Sequence, residues 1–193
     1  MEQKKICMIA HRGYSGVYPE NTELAFEQAA AHGSGGAETD IRVTADGVFV
    51  TSHDGEARFA DGTALDVSAS SYAALTAKPL KHNKACGDVY LCTFRRYLEI
   101  MREYGMICFV ELKGPFTQRQ VADVFAMVAE VYDLKKCIFQ SFDFDNLLRA
   151  RSLFPDLPLM YTYGSGESHY ERCFDHGISI DADQFVITPQ MIK

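Results

Sequence analysis

The residues able to do chemistry in this 193-residue sequence sit where short apolar runs end. His11 and Arg12 follow the first run, and Glu38 and Asp40 interrupt the second. His53 and Asp54 follow the third, while Glu111 and Lys113 close the fourth. Glu38 and Asp40 are two residues apart, so an extended strand points both side chains to one face. Glu111 joins them if neighbouring strands align. Three carboxylates converging in a partly buried place repel one another, and a divalent cation relieves that repulsion. An all-oxygen donor set suits Mg²⁺ or Ca²⁺ better than a thiol-seeking metal.

His11 and His53 suit paired acid–base work, because an imidazole titrates near neutrality. Arg12 and Lys113 are cations in an acidic mouth and suit phosphate binding, Arg12 in a bidentate manner. One cation site, two fixed positive charges and two imidazoles together describe phosphoryl chemistry. Glu20 and Asn21, within Pro19-Glu20-Asn21-Thr22, are expected to orient the site. Asn21 is expected to bond an imidazole or a phosphate oxygen, or to cap a helix. Gly13 lets the backbone turn sharply after Arg12.

The elements that must position these groups read as α/β architecture with a mostly parallel sheet. Strands are expected at 6–10, 37–43, 48–52, 106–112, 137–140, 158–162 and 178–180. Helices are expected at 23–32, after Thr93, at 118–132, after Asp143 and near 167–175. Asn21 or Thr22 caps the first helix, and Gly33 ends it. Phe94, Tyr97, Leu98, Met101 and Tyr104 form one apolar stripe on the helix after Thr93. The link at Thr44-Ala45-Asp46-Gly47 is too short for a parallel crossover. Two readings stay open there: a hairpin, or a barrel lacking one helix. Residues 54–84 read as a polar, irregular insertion. Thr188-Pro189 reads as the start of a further helix.

Composition excludes several functions. There are 19 basic and 26 acidic residues, for a net charge of −7. Without a clustered basic run, such a chain is a poor nonspecific nucleic-acid binder. No apolar stretch approaches a spanning helix, and the first apolar run is too short for a signal-peptide core. A cytoplasmic location is therefore expected. The six cysteines include no CxxC pair and are expected to be reduced and mostly buried.

Ile9-Ala10-His11-Arg12-Gly13, Pro19-Glu20-Asn21-Thr22, Glu38-Thr39-Asp40, Asp46-Gly47 and His53-Asp54 resemble the glycerophosphodiester phosphodiesterase family. Glu111-Leu112-Lys113 and Ser141-Phe142-Asp143 continue the resemblance. It implies a (β/α)8 TIM-type barrel of the phospholipase C-like phosphodiesterase kind, as one domain over 1–193 with a small insertion at about 54–92. It implies a phosphoric diester hydrolase that releases glycerol 3-phosphate and an alcohol from a glycerophosphodiester, using Mg²⁺ or Ca²⁺. By position, His11 and His53 are the implied acid–base pair, and Glu38, Asp40 and Glu111 the implied metal ligands. Arg12 and Lys113 are the implied phosphate contacts, and the insertion shapes the leaving-alcohol side. The sequence departs from the family's pattern in lacking a final aromatic-rich strand, so the barrel is expected to be truncated before its last strand. Two other readings are a phospholipase acting on lysophospholipid or sphingolipid head groups, and a catalytically silent binding module.

Overall fold

A computed structural model describes residues 6–163, 170–182 and 187 of the chain. In chain order the elements begin with β1 (Ile9–Ala10), α1 (Glu23–Ala31), β2 (Gly36–Val43) and β3 (Phe49–Thr51). A small unit follows, with β4 (Glu56–Arg58), β5 (Ala64–Asp66) and α2 (Tyr72–Leu75). The main body resumes with α3 (Phe94–Tyr104), β6 (Ile107–Leu112), α4 (Gln118–Val131), β7 (Cys137–Ser141) and α5 (Phe144–Leu153). Last come β8 (Leu159–Tyr163), α6 (Tyr170–His176) and β9 (Ser179–Ala182).

Six strands form a parallel sheet in the order β1-β2-β6-β7-β8-β9, the arrangement expected of a βα-alternating chain. Along these strands the side chains alternate between two environments. Ala37, Ile41, Cys108, Val110, Leu112, Phe139 and Leu159 point outward under the helices and are fully buried. Phe109, Ile138 and Met160 lie on the other face and are half-buried. Each fully buried Val, Leu or Phe contributes roughly 1.5–3 kcal/mol, so the helix-facing side holds the sheet together. The inner face mixes these apolar side chains with polar groups. Tyr97 on α3 ties the layers, its hydroxyl donating to the Ala37 carbonyl at 2.6 Å.

The short link after β2 is a hairpin. β3 runs antiparallel to β2, with Ile41 opposite Thr51 and Val43 opposite Phe49. Ile41 also pairs with Leu112 of β6, so β3 lies on the same edge of β2 as β1. Thr44 closes the turn: its backbone N–H donates to the Val48 carbonyl at 3.0 Å, and Val48 N–H donates to its hydroxyl at 2.9 Å.

Two expectations need correction. The first strand was expected over 6–10, but only Ile9 and Ala10 pair, against Gly36 and Ala37. Ile6 and Met8 are exposed, because β2 has no residues opposite them. The insertion is not irregular either. β4 and β5 form an antiparallel hairpin, and Ala57, Phe59, Val67, Leu75 and Leu91 of the insertion pack with Val50 of β3 in a small second core.

Other expectations match with shifted boundaries. Thr22, not Asn21, caps α1, accepting from the Ala25 N–H. On α3, Ile100 is buried while Tyr104 is half-exposed. α6 starts at Tyr170, and Thr188-Pro189 lies outside the described residues. None of the six cysteines forms a disulfide, and Cys92, Cys108, Cys137 and Cys173 are buried. Burial pushes the Cys92 thiol up to about 12, so it stays protonated and inert. No helix among the described residues is long and apolar enough to cross a membrane.

Candidate active site

The sheet curls so that its inner face forms a cleft of about 390 Å³. His11 and Arg12, just beyond β1, line this cleft together with Thr162 and Asp181 on β8 and β9. Strand register puts the carboxylates in one place. Asp40 of β2 pairs directly with Glu111 of β6, and Glu38 is two residues earlier on the same face. One oxygen from each of Glu38, Asp40 and Glu111 lies within 4.8 Å of the others, and all three residues are buried.

Each carboxylate has definite partners. The Arg12 backbone N–H donates to Glu38 Oε2 at 2.9 Å. The Arg12 guanidinium is 3.3 Å from Asp40 Oδ2 and donates to both oxygens of Glu20 at 3.0 and 3.1 Å. Lys113 Nζ is 2.7 Å from Glu111 Oε1 and 3.4 Å from Asp40 Oδ1, in neither case with hydrogen-bonding geometry. Glu38 Oε1 is buried with no partner. Loss of water and then the neighbouring Asp40 charge push the Glu38 carboxyl up to about 8. Burial also raises Glu111, against the opposing pull of Lys113. Crowded, partly orphaned carboxylate oxygens fit a hard divalent cation. Glu38, Asp40 and Glu111 are the residues able to hold it.

Asn21 orients the site as expected, but through a partner other than those the sequence suggested. It is buried, and its bonds go neither to an imidazole nor to a helix end. Its Nδ2 donates to Asp40 Oδ2 at 2.8 Å, while its Oδ1 accepts from the Thr39 hydroxyl at 2.9 Å and the Asp40 N–H at 3.2 Å. Its own carbonyl accepts from Thr51 Oγ1 at 2.8 Å. Asn21 thus fixes Asp40 in rotation. Arg12 and Asn21 are the two non-glycine residues with positive φ among the described residues, at 56° and 54°. Asn tolerates this region better than Arg does. The strain sits where the loop after β1 must turn its backbone N–H onto Glu38. Gly13 follows at φ 74°, where a Cβ would lie 2.7 Å from the Ala25 backbone, so only glycine lets this loop rest on α1.

The two imidazoles reach the cleft differently. His11 Nε2 is 3.9 Å from Glu38 Oε2, and its ring is largely exposed. Partial burial, then the adjacent Arg12 charge, lowers its pKa. The sequence leaves open the direction of the strand before His53. In fact β3 runs back down beside β2, with the Ser52 N–H donating to the Asp40 carbonyl at 2.9 Å. The return strand thereby lowers His53 to the carboxylate level. His53 Nδ1 is 2.9 Å from Asp54 Oδ1, which leaves its Nε2 free. Its carbonyl accepts from Arg42 Nε at 3.2 Å and Nη2 at 2.6 Å.

Sequence reasoning missed Arg42 as a support. It also missed Ser141 and Asn146, which fix the chain around Lys113. Ser141 Oγ donates to the Leu112 carbonyl at 2.8 Å, and Asn146 Nδ2 donates to the Gly114 carbonyl at 2.8 Å. Ser141 closing an apolar strand, with Asn146 in the first turn of the helix that follows, was the available signal. Phe142 is half-exposed on the cleft rim beneath Lys113, whose Nζ is 5.1 Å from the ring centre. Every site residue predicted from the sequence therefore lies in or against this cleft, and His11, Arg12, His53, Glu38, Glu111 and Lys113 line it.

A cleft carrying buried carboxylates, two cations and two imidazoles on one curled parallel sheet describes a phosphoryl-handling α/β barrel. The chain belongs to the glycerophosphoryl diester phosphodiesterase family, whose model matches residues 11–188. It is 26% identical over 196 residues to a glycerophosphodiester phosphodiesterase of Caldanaerobacter subterraneus subsp. tengcongensis, covering 98% of this chain and 80% of that protein. It is 28% identical over 159 residues to protein YqiK of Bacillus subtilis, covering 78% of this chain and 63% of that protein. The chain thus matches less than two thirds of YqiK's length. The fold is shared with an Oleispira antarctica phosphodiesterase solved in complex with the product sn-glycerol-3-phosphate. That match has a TM-score of 0.82 and 24% identity, covering 97% of this chain and 78% of the other. The sheet is accordingly the curled α/β sheet of a TIM-type barrel, open between the β1 and β9 edges among the described residues.

Proposed function

We propose that this protein hydrolyses glycerophosphodiesters to glycerol 3-phosphate and an alcohol. The observation that carries this reading is the convergence of Glu38, Asp40 and Glu111 beside Arg12, Lys113 and two imidazoles in one cleft. Family membership supports the reaction class. The product held by the Oleispira enzyme supports a glycerol-phosphate ligand. The chain is read as one barrel domain with its insertion near 54–92.

Glu38, Asp40 and Glu111 would hold one Mg²⁺ or Ca²⁺, which when bound supplies positive charge for a phosphate oxygen. Arg12 and Lys113 present two further positive charges to the phosphate. His11, its pKa lowered by partial burial, takes the proton from the nucleophile, either water or the glycerol 2-hydroxyl, and on the second route water must then open the resulting cyclic phosphate. His53, oriented through Nδ1 by Asp54, returns a proton to the departing alcohol. Asn21 and Glu20 hold Asp40 and Arg12 in place.

Release of glycerol 3-phosphate from glycerophosphocholine, with and without EDTA, tests this reading. Turnover that chelator abolishes and Mg²⁺ or Ca²⁺ restores is expected. Full activity in EDTA would overturn the cation's role. His11→Ala and His53→Ala should each lower turnover by roughly 10²–10⁴-fold, and wild-type turnover in either variant would overturn the acid–base pair.

A further inference from the structure

His53 stands where the sheet lets go of the chain. The bond from the Ser52 N–H to the Asp40 carbonyl is the last that ties this segment to β2 through the backbone. Beyond it, no backbone–backbone hydrogen bond holds His53 among the described residues. Its ring is tied at Nδ1 to Asp54, whose side chain is 71% exposed. Asp54 steers the ring, but it does not fix the backbone from which the ring projects.

That restraint comes from Arg42. Glu38, Asp40 and Arg42 alternate along β2 and share one face. Arg42 is half-buried and forms no ion pair among the described residues. It turns its guanidinium on a neutral oxygen instead, with Nε and Nη2 both donating to the His53 carbonyl at 3.2 and 2.6 Å. Two donors in a rigid fork fix an acceptor in direction as well as in distance. The packing around the fork is close. A Cβ at Gly55 would lie 3.7 Å from Nη1, and one at Gly114, the residue after Lys113, would lie 4.0 Å from it. The guanidinium therefore joins the strand that carries two of the carboxylates, the chain at His53 and the turn after Lys113. The His53 bond lowers the Asp54 carboxyl, and the Arg42 charge adds to that pull, so the group that steers the ring stays ionised.

We infer that Arg42 is a positioning residue for protonation of the departing alcohol: its fork on the His53 carbonyl sets the place from which the imidazole delivers the proton. This rests on the reading of His53 as the group that protonates the alcohol. A displacement of about 1 Å in such a group costs roughly 10²-fold in rate. The cost falls only on alcohols that need a proton to leave. An arginine that merely pinned the insertion would affect all substrates alike.

The test compares two esters of glycerol 3-phosphate with Mg²⁺ present: glycerophosphocholine, whose alcohol must be protonated, and the p-nitrophenyl ester, whose phenol leaves as an anion. The quantity read is kcat/KM, which reports the step that releases the alcohol. Arg42→Met should lower it by about 10–100-fold for glycerophosphocholine and by less than about threefold for the p-nitrophenyl ester. Arg42→Lys, which keeps the charge and loses the fork, should fall between wild type and Arg42→Met, and it carries the same comparison if Arg42→Met fails to fold. His53→Ala should split the two esters further, and adding Arg42→Met to it should cost little more, because the two residues act as a unit. Equal losses on both esters in the Arg42 variants, or no loss on either, overturn the inference. If His53→Ala splits the esters and the Arg42 variants do not, only the role of Arg42 fails. If His53→Ala lowers both esters alike, the acid role of His53 fails and that of Arg42 with it.

Discussion

The two walls of the cleft handle polar groups in opposite ways. On the β2–β6 side each carboxylate is held at one point, Glu38 by the Arg12 backbone, Asp40 by Asn21 and Glu111 by the Lys113 charge, although Glu38 Oε1, Asp40 Oδ1 and Glu111 Oε1 accept no hydrogen bond. On the β7–β9 side, Gln140 and Thr162 keep buried oxygens with no partner at all. Like charges a few ångströms apart need scaffolding, because each destabilises the other's ionised form. Neutral groups do not repel, so they stay in place unaided and keep their bonding capacity for a ligand. The first wall is built to hold charge and the second to receive hydrogen bonds.

The largest expected effect breaks the gripped wall. Asp40→Asn keeps the shape but removes the carboxylate that meets Asn21, Arg12 and Lys113 together. Glycerophosphodiester turnover should fall by roughly 10³-fold, with circular dichroism showing an unchanged fold. A loss under tenfold would mean Asp40 is not central to the wall. Next comes the grip itself. Asn21→Ala should raise the Mg²⁺ concentration for half-maximal activity by about 10–100-fold, with a smaller change in turnover at saturating cation. An unchanged cation requirement would reduce Asn21 to a loop residue.

The crowding on this wall also sets a pH dependence. Glu38 is raised to about 8 in the folded chain, against an ordinary value of 4.5. Between those values the folded chain holds a proton that the unfolded chain has released. Stability should therefore fall as pH rises from 4.5 toward 8 and level off above that. The Tm in chelator, scanned across this range, should follow that slope, and Glu38→Gln should flatten most of it. A rising Tm, or a slope the substitution leaves intact, contradicts the assignment. The smallest effect belongs to the open wall. Thr162→Val removes a buried hydroxyl that has no partner, so stability in denaturant should stay within about 0.5 kcal/mol of wild type or rise. A loss beyond 1.5 kcal/mol would show that Thr162 is structural after all, and the contrast between the walls would disappear.

Much of the gripped wall was legible in the sequence, because charged residues inside apolar runs are a strong signal. Glu38, Asp40 and Glu111 needed only the period of a strand and parallel pairing to come together. The direction of the strand before His53 was not legible, since Thr44 to Gly47 allowed two connections. The pairing of Ile41 with Thr51 decides it. The insertion's core was hidden because Val50, Phe59, Leu75 and Leu91 follow no period that a helix or strand would show. Asn21 was legible as an orienting residue or a cap, but its partner was not, because Asp40 is 19 residues away and is reached from a left-handed backbone. Gln140, Thr162 and Asp181 were passed over because one polar residue in a short strand reads the same as an exposed edge. Only the register of three strands shows that they share a surface.

The direct pairing of β2 with β6 closes a chain loop that contains the whole insertion, from the turn after Val43 to Met106. The entropy of closing such a loop grows only with the logarithm of its length, about 0.6 kcal/mol for each doubling. The insertion's core rests on Val50 of β3, so changes that keep Val50 covered leave the rest of the sheet's packing in place. Segments of different length and composition can therefore be exchanged between Asp54 and Cys92 at little thermodynamic cost, with the register of Asp40 against Glu111 undisturbed. The architecture separates the part of the molecule that must stay fixed for the reaction from a part that descendants, or engineers, are free to rewrite.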